Sequence, residues 1–93
     1  MSASHSVHFR DDARWNDERD CVEVTAVVRE AGQEYRVPCA ISREALETTV
    51  DIDAPLDPLR LFRDFEGRME SVVAGKARGR PPEIAVTRRD MRR

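Results

Sequence analysis

No stretch of this chain approaches the roughly 18 consecutive apolar residues that a membrane span requires. Met1 to Phe9 lacks the apolar core of a signal peptide, so a cytoplasmic protein is expected. Cysteine is scarce: Cys21 and Cys39 are too few for a disulfide scaffold and lack C-x-x-C spacing. Aromatics make up 5% of the chain (Phe9, Trp15, Tyr35, Phe62 and Phe65), so the core must be mainly aliphatic. The 93 residues suffice for one domain, 1–93, with modest stability. Residues 1–6 are expected to be flexible.

Charge, by contrast, is abundant at 37% of residues, and it is unevenly placed. Residues 1–75 carry 9 basic and 16 acidic side chains, a balance of −7. Residues 76–93 carry 7 basic and 2 acidic ones, a balance of +5, which leaves −2 for the whole. A basic end on an acidic body is expected either to attract its own or a neighbouring molecule's acidic surface, or to meet a polyanion.

Two segments alternate with the period of a half-buried strand. In Cys21–Arg29, Val22, Val24, Ala26 and Val28 share a face; in Tyr35–Ser42, Tyr35, Val37, Cys39 and Ile41 do. Pairing Val28 with Tyr35, Ala26 with Val37, Val24 with Cys39 and Val22 with Ile41 sets apolar on apolar throughout. A slip of one residue would destroy the match. This register sends Cys21 and Cys39 to opposite faces, so both thiols are expected to be free. The turn centre is then Ala31–Gly32, although alanine suits a two-residue turn poorly. Pro38 has no amide hydrogen. A two-residue turn puts its missing donor on the outer side, so strand 35–42 is expected to be an edge or locally unpaired there, with Cys21–Arg29 more interior. Such an edge could accept a partner's strand.

Val7–Phe9 reads as a short extended segment, and Asp11–Asp20 as a loop or helical turn with Trp15 as a lid on the core. Ser42 is placed to cap a short helix, Arg43–Val50. Asp57–Pro58 is a strong helix start, with Leu56 and Leu61 spaced as a hydrophobic staple. The helix is predicted to run from Pro58 to about Ala77. Leu59, Phe62, Phe65, Met69, Val72 and Val73 form its buried stripe. Gly79 and Pro81 end it. Glu83–Thr87 reads as a last strand with Ile84 and Val86 inward, and Arg88–Arg93 as a basic end. The fold class is α+β in two layers: a mainly antiparallel sheet of about four short strands packed on two helices, in the order β-β-β-α-α-β.

The segment Cys39-Ala40-Ile41-Ser42-Arg43-Glu44-Ala45-Leu46 resembles a signature of a bacterial family, domain of unknown function 1488. The Phe9–Asp11–Trp15 opening, the Asp57–Lys76 helix and the strand before Arg89–Asp90 are similar as well. The Asp51–Pro55 linker and the loop at 78–82 depart from it. The resemblance implies a small α+β fold in bacteria and no activity.

Candidate sites are few. His5 and His8 lack the glutamate of a helical zinc motif. Asp51, Asp53 and Asp57 lack the glycine and the final glutamate of a calcium loop. No metal or cofactor is therefore expected. Arg78-Gly79-Arg80-Pro81 resembles the core of an AT-hook, whose extended form lies in a narrow minor groove. With Lys76, Arg88, Arg89, Arg92 and Arg93 adding phosphate contacts, it forms the candidate nucleic-acid site. Gly67, Ser71 and Gly75 form a row of small residues that could seat a second helix in a homodimer. The leading reading is a non-catalytic binding or protein-interaction module. A weak nucleic-acid binder is the alternative, and an enzyme whose site forms only on folding is the third.

Overall fold

The computed structural model describes residues 5–48 and 57–91, and of His5 the backbone alone. The chain forms β1 (His5–Phe9), β2 (Arg14–Asn16), β3 (Cys21–Glu30), β4 (Gln33–Ser42), α1 (Arg43–Glu47), α2 (Pro58–Asp64), α3 (Glu66–Lys76) and β5 (Ile84–Val86), then a 3-10 turn, Arg88–Met91. The five strands make one sheet in the order β1-β3-β4-β5, with β2 following β1 along the same side of β3. All pairings are antiparallel except β4 with β5. Among the described residues three helices lie between those two strands, and they supply the crossover that a parallel pair requires.

The apolar matching described above sets the hairpin register: Val28 faces Tyr35 and Val22 faces Ile41, out to Glu30 facing Gln33. Ala31 and Gly32 turn with φ of 53° and 77°, both left-handed, as a type I′ turn demands. The inward row Val22, Val24, Ala26 and Val28 joins Val37, Cys39, Ile41, Ile84 and Val86 in the core. Helical residues Leu46, Phe62, Met69 and Val73 close over it. Phe9 meets Phe62 edge-on at 5.0 Å between ring centres. The caps act as their chemistry dictates. Ser42 Oγ accepts from the Ala45 amide at 3.1 Å, and Asp57 Oδ1 from the Leu59 amide at 3.1 Å.

Several elements differ from the expectation. The helix from Pro58 is broken at Phe65, with φ −117° and ψ 26°, between Asp64 and Gly67, both weak helix formers. The amide of Phe65 still donates to the Leu61 carbonyl, and that of Met69 to the Phe65 carbonyl. The helix is therefore interrupted with these bonds intact. Asp11–Asp20 contains a strand, β2, whose three residues are too few to show periodicity and are ordered by β3. His5 and Ser6 belong to β1, and the basic end folds back to bury Met91. The first helix ends at Glu47. Val50, the Asp51–Leu56 connector, Leu56 of the staple and residues 1–4, 92 and 93 lie outside the described residues.

Ala31 adopts a left-handed conformation that costs an L-residue about 1 kcal/mol or more. Ala31→Asn should raise stability in a denaturant titration by about 0.5–1 kcal/mol without changing the slope.

Candidate functional site

Two of the five cations of the predicted basic site, Lys76 and Arg80, make contacts within the chain. Lys76 Nζ is bound to Asp90 Oδ1 at 2.7 Å. Arg80 stacks over the Tyr35 ring at 4.8 Å and donates to Gln33 Oε1 at 2.6 Å. Tyr35 in turn donates its hydroxyl to the Ala77 carbonyl at 3.0 Å. Arg78, Arg88 and Arg89 are exposed. Gly79 and Arg80 have φ of 84° and 49°, so the Arg-Gly-Arg-Pro loop is turned, and it lacks the extended form that lies in a minor groove. It fastens α3 to the hairpin. Gly67, Ser71 and Gly75 are exposed on α3, and Ser71 and Gly75 line a groove of about 460 Å³ with Arg68, Val72 and Met91.

The sheet face away from the helices is held by ion pairs. Arg19 binds Glu23 on β3 at 2.9 Å and Glu83, just before β5, at 3.1 Å. Hydrogen bonds to Glu83 and then Glu23 raise the Arg19 pKa, and the bond from Arg19 holds Glu23 below its usual range. Arg14 lies 3.2 Å from Glu23 as well. At the strand-to-helix joint, Arg43 binds Asp20 at 2.8 Å and stacks on Trp15 at 5.0 Å, so Trp15 does cover the core edge. Among the described residues, no group of three or more His, Cys, Asp or Glu side chains is arranged to hold a metal ion.

Between β1 and β2 the edge strand leaves β3: Phe9 faces Ala26, but Arg14 faces Glu23. Asp12 fills this gap. Its Oδ1 accepts from the Thr25 amide at 3.0 Å and its Oδ2 from the Thr25 hydroxyl at 2.6 Å. The carboxylate thus takes the amide that the missing strand residue would have taken. Partial burial works to raise the Asp12 pKa, but the Thr25 bonds and the Arg10 charge outweigh it and hold it below the usual range. Sequence reading missed this role, because an aspartate in a polar run has no period to reveal it.

The two sheet edges differ. In the two-residue hairpin, Glu30 and Gln33 are a hydrogen-bonded pair, and pair types alternate from there. Ala26 and Val28 of β3 therefore bond to β4, and Thr25, Val27 and Arg29 to the other side. The Arg10 amide donates to the Thr25 carbonyl at 2.9 Å, which fixes that phase. Ser6 and His8, facing Arg29 and Val27, bond inward. His5, Val7 and Phe9 then point their peptide groups outward, where no strand pairs with β1 among the described residues. On the opposite edge, β5 covers only Cys39–Ile41, and the ladder stops before Pro38. Glu34 and Arg36 point outward there, flanked by the Arg80 loop.

Both cysteines are free and buried. Burial raises the Cys21 pKa and pushes that of Cys39 up to about 12.

The fold and its surfaces define a small α+β domain built around one central strand, with the described helices packed on one sheet face. The model of the family described as "Protein of unknown function (DUF1488)" matches residues 7–83, and the chain belongs to that family. In fold it is similar to a protein of unknown function of the DUF1488 family from Shewanella loihica PV-4, known from its crystal structure. The two share 24% identity with a TM-score of 0.54, over 89% of this chain and 93% of the other. No curated protein matches the chain. The motif residues of the family resemblance sit at joints: Phe9 on Phe62, Trp15 under Arg43, Ser42 as cap, and Ala45 and Leu46 buried.

Asp12, Glu23 and Asp90 all have lowered pKa values; at Asp90 the Lys76 and Thr87 bonds outweigh burial. Their contribution is complete above the unfolded carboxylate range and is lost as the pH falls below about 4. Melting temperature should be flat near neutrality and drop in acid. Asp12→Asn should cost about 1–2 kcal/mol at pH 7 and reduce the acid loss, measured by thermal melts across pH. With both thiols buried, a thiol reagent should label the native protein far more slowly than the unfolded one, and intact mass without reductant should show no bridge.

Proposed function

We propose that the chain is a non-catalytic protein-interaction module that works by strand addition at the outer edge of β1. One observation carries this reading: His5, Val7 and Phe9 point their peptide groups outward from an edge strand containing no Lys, Arg, Asp, Glu, Pro or Gly. Edge strands are commonly guarded by charge, proline or a bulge. β4 has such guards in Glu34, Arg36 and Pro38; β1 has none. An extended segment could therefore bond to β1 through its main chain, with Val7 half-buried beside it. The two free thiols suit a reducing compartment, and we assign the chain to the cytoplasm on that ground. No helix among the described residues is long and apolar enough to cross a membrane.

The Val7 amide points outward, so Val7→Pro removes a donor from the edge while sparing the bonds of Ser6 and His8 to β3. A capped synthetic peptide with the sequence of residues 5–9 should bind the wild-type protein in an isothermal titration. Val7→Pro should weaken that binding at least about tenfold while circular dichroism stays native. Equal binding by the variant, or none by the wild type, contradicts the reading. So does salt-sensitive binding to duplex DNA that is lost on replacing Arg78, Arg88 and Arg89 with alanine.

A further inference from the structure

We infer that the occupant of the β1 edge is a second copy of this chain, paired antiparallel about a two-fold axis through Val7. This rests on the reading of β1 as an open edge and adds the partner. A two-fold axis uses every outward peptide group of a strand when those groups fall symmetrically about its centre. They do so here. Val7 is the central residue of β1, and His5 and Phe9 lie two residues to either side. Val7 would exchange two hydrogen bonds with Val7 of the second copy, and His5 would do the same with Phe9. The sheet would run unbroken through both copies.

The side chains agree with that register. Val7, half-buried at the margin of the core, would meet Val7 across the axis and cover more apolar surface. On the open face, exposed Ser6 would stand opposite exposed His8 in both halves of the pairing. No formal charges are opposed. The β4 edge cannot do this as well. Its outward residues Glu34 and Arg36 are followed by Pro38, and Glu34 is already bound to Arg29 across the hairpin at 2.8 Å. α3 packs on β1, so the helical layers of the two copies would come side by side on one face. A five-residue strand pair alone is smaller than the roughly 800 Å² per partner of a standard interface, so association should depend on concentration.

Ser6 and His8 are exposed and outside the core, so charges can be placed there without disturbing the fold. The 93-residue protein should sediment as a mixture of monomer and dimer that shifts to dimer with concentration. The double variant Ser6→Glu, His8→Glu sets like charges opposite each other twice, and should weaken the dimer at least about tenfold. The variant Ser6→Glu, His8→Lys sets opposite charges in both places and should restore or tighten it, more so at low salt. A wild type that stays monomeric throughout, or a doubly acidic variant that dimerises like wild type, overturns the inference. If the wild type stays monomeric but the 5–9 peptide binds, the edge takes other strands and only the self-pairing fails. If the peptide does not bind either, the reading of the edge fails with it.

Discussion

The structure depends on β3 holding a fixed bonding phase toward both of its sides. Successive residues along a strand turn their peptide groups in opposite directions, so a central strand must be matched on both. The type I′ turn at Ala31–Gly32 sets the phase. From it follow the pairing with β4, the side of β3 that receives β1, and the set of β1 residues left pointing outward. The same phase sends Val22, Val24, Ala26 and Val28 under the helices and Cys21 to the other face. A shift by one residue would exchange these sets and expose the core.

Local devices secure that phase where the chain departs from regular pairing. Asp12 supplies a carboxylate where the edge strand leaves the Thr25 amide without a main-chain partner. Pro38 falls where β5 has ended, so its missing donor leaves nothing unsatisfied. Arg19 ties β3 to the segment entering β5, and Arg43 ties the end of the hairpin to Trp15. Much of the abundant charge thus braces the open face and the loops. Even the basic C-terminal stretch gives Lys76 and Arg80 to internal contacts and leaves Arg78, Arg88 and Arg89 exposed.

The parts legible in the sequence are those fixed by short-range chemistry. The hairpin register came from four apolar pairs, the helix starts from Ser42 and Asp57–Pro58, and the inward face of β5 from Ile84 and Val86. The unreadable parts depend on contacts distant in the chain. β2 is three residues long and exists because β3 lies beside it. The break at Phe65 follows a stripe that a continuous helix would serve equally well. Arg80 looked like a free cation because nothing near it in sequence announces Tyr35. The β1 edge needed two facts together: which strand it joins, and the phase set by a turn 22 residues beyond its end, from Phe9 to Ala31.

Amide hydrogen exchange along β1 tests the central claim most directly, because it reads the direction of each peptide group. In dilute solution, Ser6 and His8 should exchange slowly, and Val7 and Phe9 quickly, with Val7 and Phe9 becoming protected as concentration rises. Protection of Val7 and Phe9 in the dilute monomer equal to that of Val28 would contradict the account, since it would mean that the edge is already occupied within one chain.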